Sequence, residues 1–383
     1  MKVLHIIVGL NVGGAEMMLK RMVEHDPASA KKNVVISLTT LGEIGNALQA
    51  RGIQVNSLNM SSFWHVPLGL KRLIQLIRQF NPAIVQTWMY HADLLGGIAA
   101  WLAGRYPVVW NLRSNLIPTN PFSIPFWLIR LCAISSHVIP SRIICCAHTA
   151  KNTHLEMGYP LDKITVIPNG YDFSQLLKND VARATARSAL GVTEADIIVG
   201  VVGRFDALKD FKTFIAAAAL VAAKCPAAKF LMVGRNNDWQ NATLHAWIVQ
   251  AGLTDKFILV GQQDNVPYYL GAMDVFCLSS SNEAFPNVLV EAMAFGLPCV
   301  ATQAGDATEI LSNSNFVVPI QQPPALAQAL LTMCKLDAAA RRALGEANMN
   351  IVKLKYPIEK ISQHYARVYK NMCGEALKNE LTT

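Results

Sequence analysis

The sequence predicts an α/β protein made of two doubly wound, parallel-sheet domains of Rossmann-like form facing across a cleft. Three observations carry that expectation. Short β-rich runs alternate with helical runs along most of the 383 residues. The alternation breaks once, in a polar, alanine-rich stretch at 173–194, and then resumes. Several strands run out into glycine turns, where parallel sheets hold ligands at their carboxyl ends. With 52% hydrophobic and 16% charged residues, the chain is globular and can supply two ordinary cores.

In order, first-domain strands are predicted at 2–10, 33–40, 53–60, 83–89, 107–113, 142–147 and 164–170. Between the third and fourth, Leu70, Leu73, Ile74, Ile77 and Phe80 share one helix face, with Lys71, Arg72 and Arg78 off it. Second-domain strands are predicted at 197–204, 229–234, 256–261, 274–280, 298–302 and 316–319. From about 325 the chain reads as helix, and its last run crosses back onto the first domain. The expected organisation is 1–172 with a crossover helix at about 356–383, a linker at 173–194, and a second domain at 195–355. No short-period repeat is present, which excludes a solenoid.

The opening MKVLHIIVGLNVGGA fits a strand entering a glycine turn better than a signal peptide, because its apolar core Val3–Leu10 is short. No apolar run reaches the ~18 residues that a spanning helix needs. The eight cysteines form no C-x-x-C pair, and Cys145, Cys277 and Cys299 sit in apolar runs. That pattern suits a reducing compartment rather than a disulfide framework or a zinc site. A net charge of +8 suits an anionic partner: nucleic acid, nucleotide phosphate or an acidic membrane face.

The most informative stretch is SSSNEAFPNVLVEAMAFGLPCVAT, residues 279–302. Phe285 precedes a proline and is disfavoured as helix, Pro286 suits a first helical position, and Gly296 with Pro298 ends the helix. Glu283 then lies at the helix mouth and Glu291 in the second turn of an otherwise apolar helix. Two carboxylates flanking the free amides of Asn287 and Val288 can grip a polar anionic ligand at the positive end of the helix dipole. The plain alternative is a solvated Glu283 and a Glu291 paired with a buried cation.

Elsewhere, Gly13 and Gly14 open the first strand-to-helix turn, where backbone can approach a phosphate; an ordinary turn explains them as well. The pattern is neither G-x-G-x-x-G nor a Walker A loop. At the parallel place in the second half, Arg204 ends a strand and Lys209 follows five residues on, so a guanidinium fork and an ammonium can converge on a diphosphate. His91, in QTWMYHAD, sits where a strand gives way to a helix and can donate to a substrate oxygen, or bond the backbone. His148 is a weaker case of the same placement, and Arg113 at another strand end can face an anion.

Together GLNVGGAE, QTWMYHADLLG, VIPNGYD, VGRFDALKD and NEAFPNVLVEAMAFGLPCVAT, in this order, resemble glycosyltransferase family 4, the retaining GT-B glycosyltransferases. The resemblance covers essentially the whole chain and implies the GT-B fold. It implies that Glu291 holds the ribose of a sugar nucleotide, and that Glu283 lies near the donor sugar, with Ala284, Phe285, Asn287 and Val288 part of the same donor loop. Arg204 and Lys209 match the diphosphate clamp, Gly13 and Gly14 the loop over the donor, and His91 the histidine contacting the transferred sugar. Glu283, His91, Arg204 and Lys209 are therefore the candidate catalytic residues. Ala284 stands where glycine is common, and Gly305-Asp306 where Gly-Gly is common, which bears on donor-sugar choice.

The implied reaction is hexosyl transfer from a UDP or GDP sugar to a lipid-linked or other saccharide acceptor in cell-surface polysaccharide synthesis, with anomeric configuration kept. No Asp-x-Asp motif stands where a donor metal is expected, so neither metal nor cofactor is implied. The basic run LKRLIQLIRQF and the apolar PFSIPFWLIRLCAISSHVIPSR can lie on an anionic bilayer, which points to a cytoplasmic protein peripheral to the inner membrane face. For 68–80, a core-facing helix is the simpler reading. A nucleotide-sugar epimerase shares the architecture but needs no acceptor. A nicotinamide oxidoreductase lacks its glycine fingerprint, and a nucleic-acid binder lacks a reader motif and a dense basic patch.

Overall fold

The computed structural model describes residues 1–25, 33–118, 120–175 and 180–380. It divides into two compact units, Met1–Tyr171 with Tyr356–Thr383, and Asp172–Lys355. The first holds a seven-stranded sheet in the order β3-β2-β1-β4-β5-β6-β7 and the second a six-stranded sheet in the order β10-β9-β8-β11-β12-β13. Every paired strand is parallel. The first sheet comprises β1 (Val3–Ile7), β2 (Asn33–Ser37), β3 (Gln54–Ser57), β4 (Ile84–Trp88), β5 (Val108–Leu112), β6 (Arg142–Cys145) and β7 (Ile164–Val166). The second comprises β8 (Ile197–Val202), β9 (Ala228–Val233), β10 (Phe257–Leu259), β11 (Val275–Leu278), β12 (Cys299–Thr302) and β13 (Val317–Val318). Each lies within a run predicted from sequence except β9, which starts one residue before its predicted run at Ala228. Central strands such as VLHII and VVWNL are buried throughout, as strands covered on both faces must be.

The helix Val66–Phe80 turns Leu73 and Ile77 inward and ends at Asn81 in the left-handed region (φ 46°), a conformation asparagine tolerates. Its Arg78 is spent on the carbonyls of Ala103 and Leu102, at 3.0 Å each, so this helix faces the core.

The helix Ile358–Glu380 completes the first unit. Ile358, Ile361, Tyr365, Tyr369 and Met372 join the cluster formed by Val3, Ile7, Leu19, Trp88 and Val109. Asn111 Nδ2 donates to the Tyr365 hydroxyl (3.1 Å), and the Tyr369 hydroxyl donates to the Gln86 side-chain oxygen. Arg113, expected to face an anion, is instead consumed here. Its Nη1 donates to Asn111 Oδ1 (3.1 Å), the Tyr365 hydroxyl (3.1 Å) and the Ile167 carbonyl (3.4 Å), and its Nη2 to Asn169 Oδ1. A guanidinium bonded on both terminal nitrogens within its own unit serves packing.

The stretch 173–194, expected as a linker, has its described part in the second unit. Arg187 on the helix Asp180–Ala189 is 2% exposed. It donates to Asp274 Oδ2 (3.0 Å) and to the carbonyls of Ala272 (2.9 Å) and Asp196 (2.7 Å). Arg183 holds the other Asp274 oxygen at 2.7 Å. Polar residues in a sequence can thus mark a buried ion-pair network as readily as a linker.

Three groups at the heart of the first unit contribute to its response to pH, beside smaller shifts at Glu16, His91 and His364. Burial pushes His5 down to about 3 and His154 down to about 4, and pushes Asp93 up to about 7. Below pH 6.5 the unfolded chain protonates both histidines before the folded one does, so stability falls as pH drops from 6.5 toward 4. Asp93 works the other way, because the folded state keeps its proton and loses stability as pH rises from about 4 to 7. Tyr90, Cys132 and Tyr159, which face Asp93, are raised out of this range. Asp93→Asn is therefore expected to lose more stability than the parent between pH 7 and 4, read by urea unfolding at each pH; an equal loss contradicts the assignment.

Candidate functional site

In both sheets the candidate residues gather where the strand order reverses. The connections from β8 and β11, adjacent strands, leave in opposite directions, and so do those from β1 and β4. Ligands of open α/β sheets bind outside the carboxyl ends of strands at such points.

In the second unit β8 leads into Gly203–Lys209 and β11 into Ser279–Pro286, and side-chain and backbone hydrogen bonds stitch the two loops together. Ser279 Oγ donates to the Lys209 carbonyl (2.8 Å), and Ser281 N to the Leu208 carbonyl (2.8 Å). Across this seam Lys209 Nζ lies 2.5 Å from Glu283 Oε1, and Ser280 Oγ donates to the same oxygen at 2.8 Å. The pair was not foreseen, although both members were. It keeps 22% of the Lys209 side chain and 14% of the Glu283 side chain exposed. An ammonium has three donors, so Lys209 can meet a ligand oxygen without leaving Glu283.

Asp206 shapes the first loop. It caps the turn Ala207–Lys209 by accepting from Leu208 N at 3.0 Å, and that amide holds its carboxyl below the usual range. Arg204, 58% exposed, places Nε 3.0 Å from Asp206 Oδ2, so its fork starts from a fixed base. Gly234 (φ 139°) lies so close behind that a Cβ there would stand 2.1 Å from the Gly203 carbonyl oxygen.

The second loop rests on Gly305, at φ 59°. A Cβ there would fall 2.2 Å from the Glu283 carbonyl oxygen and 2.5 Å from that of Ala284, while Asp306 N donates to Ala284 O at 3.1 Å. The Gly305-Asp306 pair noted in the sequence is thus the backing of the Glu283 loop. Gly305→Ala forces that loop to move, and it is expected to raise the donor KM more than it lowers thermal stability, read by kinetics beside a melting curve. The helix runs Asn287–Ala294, with Pro286 as its cap rather than its first residue. A backbone angle ψ of 88° at Pro286 places it just outside the helical region. Ala284 and Phe285 are buried within the loop. Asn287, Val288 and Glu291 are half-buried along the first two turns.

In the first unit the helix Gly14–His25 starts at Gly14, with Gly13 accepting from Met17 N at 2.9 Å. His91 is exposed on the first turn of the helix Tyr90–Gly104, and partial burial of its ring holds its pKa below 6.5. His148 is exposed at the start of the helix His148–Glu156. Sequence reasoning missed His154, whose Nε2 meets the Tyr90 hydroxyl at 3.0 Å and whose Nδ1 donates to the Ala150 carbonyl at 2.6 Å. It also gave no role to Asp93, although its place in the first helical turn was legible.

Comparison with known proteins decides what these loops belong to. Residues 12–175 match the family described as Glycosyltransferase Family 4, and residues 196–335 match Glycosyl transferases group 1. The chain belongs to glycosyltransferase family 4. It is 25% identical over 265 residues, 68% of each chain, to the UDP-Gal:alpha-D-GlcNAc-diphosphoundecaprenol alpha-1,3-galactosyltransferase of Escherichia coli. It is 26% identical over 225 residues, spanning 58% of each chain, to the N-acetyl-alpha-D-glucosaminyl L-malate synthase of Bacillus anthracis. Among solved structures, HepE of Anabaena in complex with UDP aligns with a TM-score of 0.85 at 22% identity, covering 97% of this chain and 100% of that one. The fold of this glycosyltransferase is GT-B, and in both units the loops at the switch points are those the family resemblance singled out.

Proposed function

We propose that this glycosyltransferase moves a hexosyl group from a UDP or GDP sugar to a lipid-linked saccharide acceptor, retaining the anomeric configuration and using neither metal nor cofactor. The observation that carries the reading is the Lys209–Glu283 pair, set beside the N-terminus of the helix Asn287–Ala294 at the second sheet's switch point. A departing diphosphate gains negative charge, and an ammonium, an exposed guanidinium on Arg204 and helix amides are the groups that stabilise it without reorganising. Glu283, fixed by Lys209 and Ser280, then presents its carboxylate to the donor sugar, while Glu291 takes the ribose hydroxyls. Gly13 and Gly14 close over the donor and His91 contacts the transferred sugar, as the family resemblance implies. A UDP donor and a diphosphoundecaprenol acceptor are named for the E. coli relative, and UDP is bound in the HepE structure.

The test is a thermal-shift screen over nucleoside diphosphates and their sugars, followed by turnover with and without acceptor. A ligand at 100 times its Kd adds about 2.7 kcal/mol of stability. Release of nucleotide and epimerised sugar without acceptor overturns transfer, and an inverted anomeric centre in the product overturns retention. Loss of turnover in EDTA overturns metal independence.

The acceptor proposal extends to a membrane surface. Among the described residues no helix is long and apolar enough to cross a bilayer. The helix Ile124–Ser135 nevertheless presents Ile124 (82% exposed), Trp127, Leu131 and Ile134 (73%) to solvent, flanked by Phe122 (94%) and Val138. That outward stripe, with exposed Arg130 above the Phe126 ring at 5.4 Å, fits an anionic bilayer. We expect flotation with anionic liposomes at low salt, weakened at least tenfold in Ile134→Glu; no flotation of the parent chain ends this part of the proposal.

A further inference from the structure

We propose that Asp93 is a positioning residue for His91, its carboxylate fixing the turn of backbone that presents the imidazole. The inference rests on the reading of His91 as a contact to the transferred sugar. Residues two apart on a helix lie about 200° apart around its axis, so the exposed His91 and the fully buried Asp93 occupy opposite sides of one turn.

The inward side is tied to the sheet. Thr87 Oγ1 at the end of β4 donates to Asp93 Oδ1 at 2.5 Å, and the Asn111 backbone N–H from β5 bonds the same carboxylate. The turn between them is strained, because Met89, which is not a glycine, sits at φ 70°. Asp93 N donates to the Met89 carbonyl (2.9 Å), and Met89 N to the Asn111 carbonyl (3.1 Å), so the strained residue is clamped on both sides. The other carboxylate oxygen, Oδ2, is buried without a partner, and burial holds the group's pKa well above that of an ordinary carboxylate. A group that satisfies only one oxygen in the interior is poorly suited to a purely stabilising role, whereas strain held by over-determined bonds is characteristic of a site that fixes a reactive side chain.

The experiment measures kcat and donor KM for Asp93→Ala, Asp93→Asn, Thr87→Val, His91→Ala and the double variant Asp93→Ala/His91→Ala, beside melting curves. Asparagine can still accept from Thr87 and Asn111, so Asp93→Asn is expected to stay within a few-fold of the parent. Asp93→Ala and Thr87→Val are expected to lose roughly 10–100-fold in kcat with donor KM little changed. In the His91→Ala background the loss from Asp93→Ala should vanish. A parent-like kcat in Asp93→Ala and Thr87→Val overturns the proposal, and so do losses that multiply in the double variant; in either case a low kcat in His91→Ala leaves the reading of His91 standing. A parent-like kcat in His91→Ala sinks that reading together with the proposal. Should Asp93→Ala fail to fold, Thr87→Val, which removes one hydroxyl, gives the same decision.

Discussion

Arg187→Ala is expected to destabilise the second unit by roughly 3–5 kcal/mol, the usual cost of removing one partner from a buried ion pair. The side chain is 2% exposed and donates to Asp274, Ala272, Thr193 and Asp196. Its loss takes a donor from the carbonyls of Ala272, Thr193 and Asp196, of which Thr193 keeps the Asp196 amide at 3.1 Å, and halves the compensation of Asp274, which keeps Arg183 and the Ile198 amide. Each orphaned acceptor costs about 1–3 kcal/mol where water cannot reach it. Urea unfolding of the full-length chain should show an early transition; a loss below about 1 kcal/mol would mean that water enters the site and replaces the guanidinium.

Lys209→Ala is expected to lower kcat/KM by about 10²–10³-fold while the melting temperature stays close to the parent's. The ammonium is partly exposed, and Glu283 keeps Ser280 as a donor, so little of the fold depends on it. Its loss falls on the transition state, where the leaving diphosphate carries the most charge. It also takes the ammonium away from Glu283 beside that charge, which adds repulsion to lost attraction. Lys209→Arg should recover only part of the rate, because a planar fork cannot hold Glu283 and a phosphate oxygen in the same way as a compact ammonium. Turnover near the parent level at subsaturating donor would falsify the assignment of Lys209.

The sheets were legible because parallel strands covered on both faces are written as short, mostly apolar runs, and β1, β5, β8 and β11 are such runs. The switch-point loops were legible because glycine and charge follow those runs directly. What the sequence hid was pairing. Lys209 and Glu283 are 74 residues apart, and only the stitched loops bring them together. Arg113 has the look of a ligand-facing cation, and nothing local reveals that Tyr365, 252 residues away, claims it. The helix Asp180–Ala189 mixes polar residues with alanines, and its role emerges only when Asp274 is placed beside it. Asp93 was visible as a helix-start residue, but its burial depends on Thr87 and Asn111 lying at the ends of neighbouring strands.

The return of the final helix to the first sheet reverses the order in which the two units mature on the ribosome. Residues 1–171 emerge first, yet Tyr365 and Tyr369 arrive only after the whole of Asp172–Lys355 has been made. At 5–20 residues per second that wait lasts roughly 10–40 s. Meanwhile the flank of β1 awaiting those tyrosines stays uncovered, and the later-born unit, whose contacts all lie within one continuous segment, finishes ahead of it.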